Sequence, residues 1–250
     1  MTVQQGSRIA KAQLQETGEL RRMARGKFAP PRFPPDLVAI ERWQAWLDAV
    51  ARHEVCLVHA PAGYGKTAFA AALFAQARSV GWLAGWVSFD PEDNEPAAIG
   101  HVFETVRLAR GAPVEDSIAA LSAGPASTAI LAAALAERIE AEDHPMLLVL
   151  DDVDRLTDPR AIDVLDGLLR HPPASLRLML VGRDCPVVGL GEAEGRGMVL
   201  RLGQREIGLS DEEVSEFVRA AGATPGARDC AKINELLRGW PAGLRVAAQR

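Results

Sequence analysis

Two glycines, a lysine and a threonine fall within the eight residues Ala60-Pro61-Ala62-Gly63-Tyr64-Gly65-Lys66-Thr67. Glycines at 63 and 65 let the backbone curl so that consecutive N–H groups point at one anion, at the positive end of a following helix. Lys66 can reach the β- and γ-phosphates of a nucleotide, and the Thr67 hydroxyl can ligate Mg²⁺. The strict pattern opens on a glycine, where this chain has Ala60. The plainer alternative is a glycine turn before a helix. The position of Gly-Lys-Thr between an apolar run and a helical stretch favours phosphate. Pro61, Ala62, Gly63, Tyr64, Gly65, Lys66, Thr67 and Ala68 are therefore assigned to binding ATP or ADP.

Asp151-Asp152 closes the apolar run Met146-Leu147-Leu148-Val149-Leu150. A strand apolar throughout is covered on both faces. Carboxylates at its end emerge at the carboxyl edge of an open α/β sheet, where ligands bind. One carboxylate there can hold the water shell of Mg²⁺, and the second can orient or deprotonate an attacking water. Asp151 is assigned to the metal with Thr67, and Asp152 to the water, while Asp154 reads as a solvated loop residue. Arg183, after Leu178-Met179-Leu180-Val181-Gly182, can present a cation to the γ-phosphate; the alternative is a salt bridge to Asp184. Lys66, Asp152 and Arg183 make up the catalytic set.

Short apolar runs alternating with helical stretches must position these groups. Strands are expected at Val55-Cys56-Leu57-Val58-His59-Ala60, Trp86-Val87-Ser88-Phe89, the run ending at Asp151, Leu176-Arg177-Leu178-Met179-Leu180-Val181 and Met198-Val199-Leu200-Arg201-Leu202. A helix follows Lys66, and another starts at Asp158-Pro159, with proline at its first position. Asp36 can cap a helix whose Ile40, Trp43, Leu47 and Val50 share one face. This alternation predicts an α/β fold, a parallel five-stranded sheet with helices on both faces. After about residue 206 the strands stop, and Ser210-Asp211-Glu212-Glu213 is a capping box. Residues 1–27 read as a polar tail, 28–205 as the nucleotide-binding domain, and 206–250 as the start of a helical lid belonging to something longer.

The 250 residues carry a formal net charge of −5, which gives no general attraction to nucleic acid. Three dispersed cysteines and no C-x-x-C pair point away from a disulfide framework or a zinc site. The N-terminus lacks the apolar core of a signal peptide, and no stretch approaches the roughly 20 apolar residues of a membrane span. A soluble, cytoplasmic protein with no membrane partner is expected.

Taken in order, the phosphate loop, Trp86-Val87-Ser88-Phe89-Asp90-Pro91-Glu92-Asp93-Asn94, Asp151-Asp152, Arg183-Asp184 and Gly239-Trp240-Pro241-Ala242-Gly243-Leu244 resemble the MalT-like regulators. These are ATP-binding LuxR-type transcriptional activators of the STAND class of P-loop signal-transduction ATPases. The resemblance spans roughly residues 30–250. It implies a sheet of order 5-1-4-3-2, an ATP/ADP switch with slow hydrolysis, Pro241 against the base or ribose, and a lead-in from Pro34 to Arg42 that helps hold the adenine. The family commonly has an arginine where this chain has Ile40. It also implies self-association on activation, and DNA binding only through a C-terminal domain outside this chain. Three readings follow: a regulatory switch, a turnover motor or clamp-loader-like ATPase, and a nucleotide-binding module that does not hydrolyse. The Gly-Trp-Pro tail favours the switch.

Overall fold

The computed structural model describes residues 26–33, 40–93, 97–112, 126–187, 189–220, 222 and 226–248. Five apolar runs form strands: β1 (Val55–His59), β2 (Leu83–Ser88), β3 (Met146–Asp151), β4 (Leu176–Gly182) and β5 (Val199–Leu202). They pair in parallel in the order β2-β3-β4-β1-β5, the expected 5-1-4-3-2 read from the other edge. The register aligns Ser88 with Asp151, Asp151 with Val181, and Gly182 with His59. The carboxyl ends of β1, β3 and β4 thus lie side by side. β2 starts three residues before the expected Trp86, where Leu83 N–H bonds Pro145 O at 2.9 Å. Half-buried Leu83-Ala84 carries neither the alternation nor the continuous apolar run of a strand.

Helices cover both faces: α1 (Trp46–Ala51), α2 (Lys66–Ser79), α3 (Ala97–Ala109), α4 (Thr128–Glu140), α5 (Pro159–Arg170) and α6 (Leu190–Gly195). Strand alternation divides the core. Leu148, Leu150, Leu178 and Leu180 face Ile99, Val102, Leu131, Leu135 and Leu165 of α3, α4 and α5. Leu147, Val149, Met179 and Val181 face α1 and α2 through Val50, Phe69 and Leu73. The Asp158 carboxylate caps α5 by accepting Arg160 N–H at 2.9 Å. Asp36 lies outside the described residues. Ile40, Trp43, Leu47 and Val50 are all buried as expected, on a 3-10 turn (Glu41–Trp43) followed by α1. Lys27, the last residue of the stretch read as a tail, pairs with Asp93 and, at 3.1 Å, with Asp90. Two carboxylates in one turn draw the ammonium in, a contact that composition alone does not reveal.

Beyond β5 the chain is helical: α7 (Gln204–Ile207), α8 (Asp211–Ala220), α9 (Ala227–Leu237) and α10 (Pro241–Ala248). The capping box forms: Ser210 N–H donates to Glu213 Oε2 at 2.8 Å, and Glu213 N–H to Ser210 Oγ at 3.3 Å. Leu209, Val214, Phe217 and Leu244 join the same apolar cluster as Val58 and Phe69. Arg42 fastens this segment to the sheet domain. Its guanidinium grips the Glu213 carboxylate with Nε at 2.7 Å and Nη2 at 3.0 Å, and donates to Glu206 O at 2.5 Å and to Gly208 O. Replacing Arg42 by Ala removes a forked, charge-assisted set of bonds and is expected to cost about 1–3 kcal/mol. Arg42→Lys should recover only part, because a point charge cannot fork. Urea midpoints of the three proteins measure the effect, and equal midpoints would show that the clamp carries no stability.

Candidate functional site

β1 is buried between β4 and β5 and delivers the chain to Ala60 at the carboxyl edge. Gly63 and Gly65 then take left-handed conformations, φ +80° and +83°. Gly65 caps α2, and its carbonyl accepts Phe69 N–H at 2.8 Å as the first helical bond. Among the described residues the N–H groups of Gly63, Tyr64 and Gly65 donate to no acceptor. A run of free donors at a helix start is the geometry of an anion site. Tyr64 is buried and anchors the loop in the core. Trp43 packs edge-on against Phe69 with ring centroids 5.4 Å apart, and its ring end lies 3.8 Å from where a Gly65 Cβ would sit.

Lys66 is buried, and its ammonium reaches across the loop to Pro61 O at 3.2 Å. Burial and the nearby Arg183 lower its pKa, while Asp154, Asp152 and Asp151 pull it back up. Thr67 Oγ1 lies 3.2 Å from Asp151 Oδ1, so the two residues assigned to the metal are adjacent. Asp151 is 4% exposed, and burial, helped by the Asp152 charge, raises its pKa to about 6; bonds from Asp152 N–H and Thr67 and the Lys66 charge oppose the rise. Asp152 turns out of the strand at φ +54°, half exposed, with Arg155 Nε 3.4 Å away. Asp154 is more than a solvated loop residue: its Oδ1 accepts Arg183 N–H at 2.9 Å, which ties the turn after β3 to the end of β4. The Arg183 side chain is exposed and makes no ion pair among the described residues; Asp184 accepts Cys185 N–H at 2.8 Å instead. Lys66, Thr67, Asp151, Asp152 and Arg183 are therefore brought to one end of the sheet.

The helical segment meets this loop directly. Trp240 Nε1 donates to Ala62 O at 2.9 Å, and Ala242 N–H to Gly63 O at 3.2 Å. A Cβ on Gly63 would lie 2.6 Å from Ala242 Cβ and 2.7 Å from Trp240 Nε1. Pro241, assigned to the nucleotide, is the first residue of α10, flanked by these two loop contacts. Sequence reasoning gave Trp240 no role of its own and placed Arg42 only at the end of the adenine lead-in, not as the tie to the helical segment. The Gly-Trp-Pro string was the available signal for the first, but its partner lies 178 residues away.

Comparison with known proteins agrees with this geometry. Residues 39–181 match the family described as AAA ATPase domain. The HTH-type transcriptional regulator MalT of Yersinia enterocolitica is 28% identical over 225 residues, which are 89% of this chain and 24% of that protein. The chain thus spans about a quarter of the length of the relatives it matches. Among solved structures, a Pyrococcus horikoshii STAND protein with a tetratricopeptide repeat sensor superposes at TM-score 0.55 and 16% identity, covering 86% of this chain and 30% of that one. The Aeropyrum pernix Orc1 protein in complex with DNA superposes at TM-score 0.50 and 18% identity, covering 86% of this chain and 61% of that one. At these identities the superpositions speak for the fold alone. No helix among the described residues is long and apolar enough to cross a membrane.

The buried Asp151 sets a pH dependence for the nucleotide-free protein. Its pKa is about 6 in the fold against 3.8 for the free side chain, so between those values the folded state holds more proton than the unfolded chain. Its contribution is fully present below pH 3.8 and is lost as pH rises through about 6. Asp151→Asn should therefore raise nucleotide-free stability above pH 6, by at most about 3 kcal/mol. Urea denaturation at pH 5 and pH 7.5 checks this: a gain equal at both values would show that Asp151 is ionised throughout.

Proposed function

Because the chain belongs to the AAA ATPase domain family, we propose that it is a regulatory switch module that binds Mg-ATP or ADP and turns its nucleotide over slowly. The observation that carries this reading is the set of free N–H donors at Gly63, Tyr64 and Gly65, at the start of α2 and beside Lys66. Those donors and the helix dipole suit the β-phosphate, and the Lys66 ammonium adds a point charge toward the β- and γ-phosphates.

The residues present also fit Mg²⁺. Thr67 Oγ1 and Asp151 Oδ1 are neighbouring hard oxygen donors, and Asp151 lies buried beside the Asp152 charge, which a divalent cation would offset. When bound, Mg²⁺ would neutralise charge on the β- and γ-phosphates. Asp152, turned outward and half exposed, would orient or deprotonate a water, and Arg183 would meet charge that develops on the γ-phosphate. The helical lid resting on the loop favours a switch over a motor, because a lid touching the phosphate loop gives the ligand a conformational equilibrium to bias. In a longer regulator such as the MalT relatives, nucleotide state would be coupled to activation and self-association, with DNA bound by a domain outside these residues.

Isothermal titration with Mg-ADP tests the site. Lys66→Ala should weaken binding about a hundredfold, since a charge-assisted contact to two phosphates is worth about 3 kcal/mol. Undiminished affinity would sink the assignment. Asp152→Asn should keep ADP affinity and slow single-turnover hydrolysis, whereas Asp151→Asn should lose the Mg²⁺ dependence of binding. If both variants lose affinity equally and turn over equally per bound nucleotide, the two-role assignment is wrong.

A further inference from the structure

In Gly239-Trp240-Pro241-Ala242-Gly243-Leu244 each residue has a separate physical task. Gly239 sits at φ +70° against Leu209, where any Cβ would lie 2.4 Å from Leu209 N. Its carbonyl accepts Leu209 N–H at 3.0 Å, and its N–H donates to Asn234 Oδ1 at 2.7 Å. Trp240 leaves this fixed point with its indole lying on Gly243, whose absent Cβ would fall 2.2 Å from the ring. Pro241 opens α10, where a missing N–H costs nothing. Ala242 then carries one of the helix's first N–H groups, which needs an acceptor outside the helix and finds Gly63 O. Leu244 roots the helix in the core. The indole, 36% exposed, therefore rests on Gly243 while it donates to Ala62 O.

A trans peptide is planar, so its C=O and the following N–H point in opposite directions. Fixing Ala62 O toward Trp240 turns Gly63 N–H away from the lid. Fixing Gly63 O toward Ala242 does the same for Tyr64 N–H. Both are among the free donors at the start of α2. Gly63, with its left-handed backbone and no Cβ, would otherwise let both peptide planes rotate. We infer that Trp240, with Ala242 N–H, is a positioning element for phosphate binding: the lid sets the direction of the Gly63 and Tyr64 donors by holding the two carbonyls behind them. The inference rests on the nucleotide reading above and deepens it. It makes the lid's docked position and the affinity for a nucleoside diphosphate two sides of one equilibrium, each altering the other by the same factor. It also gives Gly63 a second reason to be glycine, since the lid occupies the space a side chain would need.

The test removes the indole donor and keeps the ring. β-(3-Benzothienyl)alanine at position 240 of the 250-residue chain preserves shape and packing on Gly243 but has sulfur in place of N–H, and Trp240→Phe serves as a second variant. Mg-ADP affinity is measured by titration and AMP affinity by competition against it. ADP binding should weaken about three- to tenfold, the range one neutral hydrogen bond supplies. AMP, which lacks the β-phosphate, should change less than about twofold. ADP affinity unchanged in both variants overturns the brace. ADP and AMP weakened alike also overturn it, since that pattern means loss of the lid's docking and not of donor direction. Failure of the unmodified protein to bind ADP at all would instead overturn the nucleotide reading.

Discussion

A phosphate loop must keep its N–H groups open to the ligand and still hold one shape, so its backbone can be fastened only through its carbonyls. Here four of them are used. Pro61 O accepts Lys66 Nζ, Ala62 O accepts the Trp240 indole, Gly63 O accepts Ala242 N–H, and Gly65 O accepts Phe69 N–H. Two fastenings come from the loop and its own helix, and two come from the far end of the chain. The second pair explains why a helical segment after the last strand belongs to the site. Without it, a loop with two left-handed glycines would sample many shapes, and ordering them on binding would cost part of the affinity.

The charges around the loop follow the same logic. Lys66 lies among Arg183, Asp154, Asp152 and Asp151, and Asp152 also has Arg155 3.4 Å away. Burial lowers the Lys66 pKa and raises that of Asp151, so each group is held less readily in its charged form than in water. A divalent cation beside Asp151 and phosphates beside Lys66 supply the missing partners. The Asp154 carboxylate stands apart from this exchange: it is committed to Arg183 N–H, and it fixes where the β4 end lies relative to the turn after β3.

What the sequence made legible was local or strongly periodic. The apolar run at residues 146–150 had to be a strand covered on both faces, and the two carboxylates that follow it had to sit at an edge. Gly-Lys-Thr after a strand marked the loop, and Ser210 with Glu213 marked the start of α8. α3 and α4 went unplaced, because alanine-rich stretches such as Thr128–Glu140 are nearly as apolar on the outer turns as on the inner ones. The contacts that bind the lid were not legible at all. Arg42 meets Glu213 across 171 residues, and Trp240 meets Ala62 across 178. No local pattern announces such partners. The Lys27 pair with Asp93 was hidden for the same reason, behind a composition that reads as a solvated tail.

For the switch proposed here, the shared core limits which motions a nucleotide can drive. Leu209, Val214, Phe217 and Leu244 of the lid are buried in one cluster with Val58, Tyr64 and Phe69. Exposing a buried Leu, Val or Phe side chain costs about 1.5–3 kcal/mol each, so about 6–12 kcal/mol is an upper bound for lifting the lid off, since α8, α9 and α10 also bury these side chains against one another. A ligand at about 1,000 times its dissociation constant contributes about 4 kcal/mol. The motion within its reach is a small shift that keeps the apolar contacts and exchanges polar ones, namely the Trp240 and Ala242 bonds to the loop and the Arg42 fork to Glu206, Gly208 and Glu213. The neutral Trp240 and Ala242 bonds are worth about 0.5–1.5 kcal/mol each and the Arg42 set about 1–3 kcal/mol together, the scale a bound phosphate can redistribute.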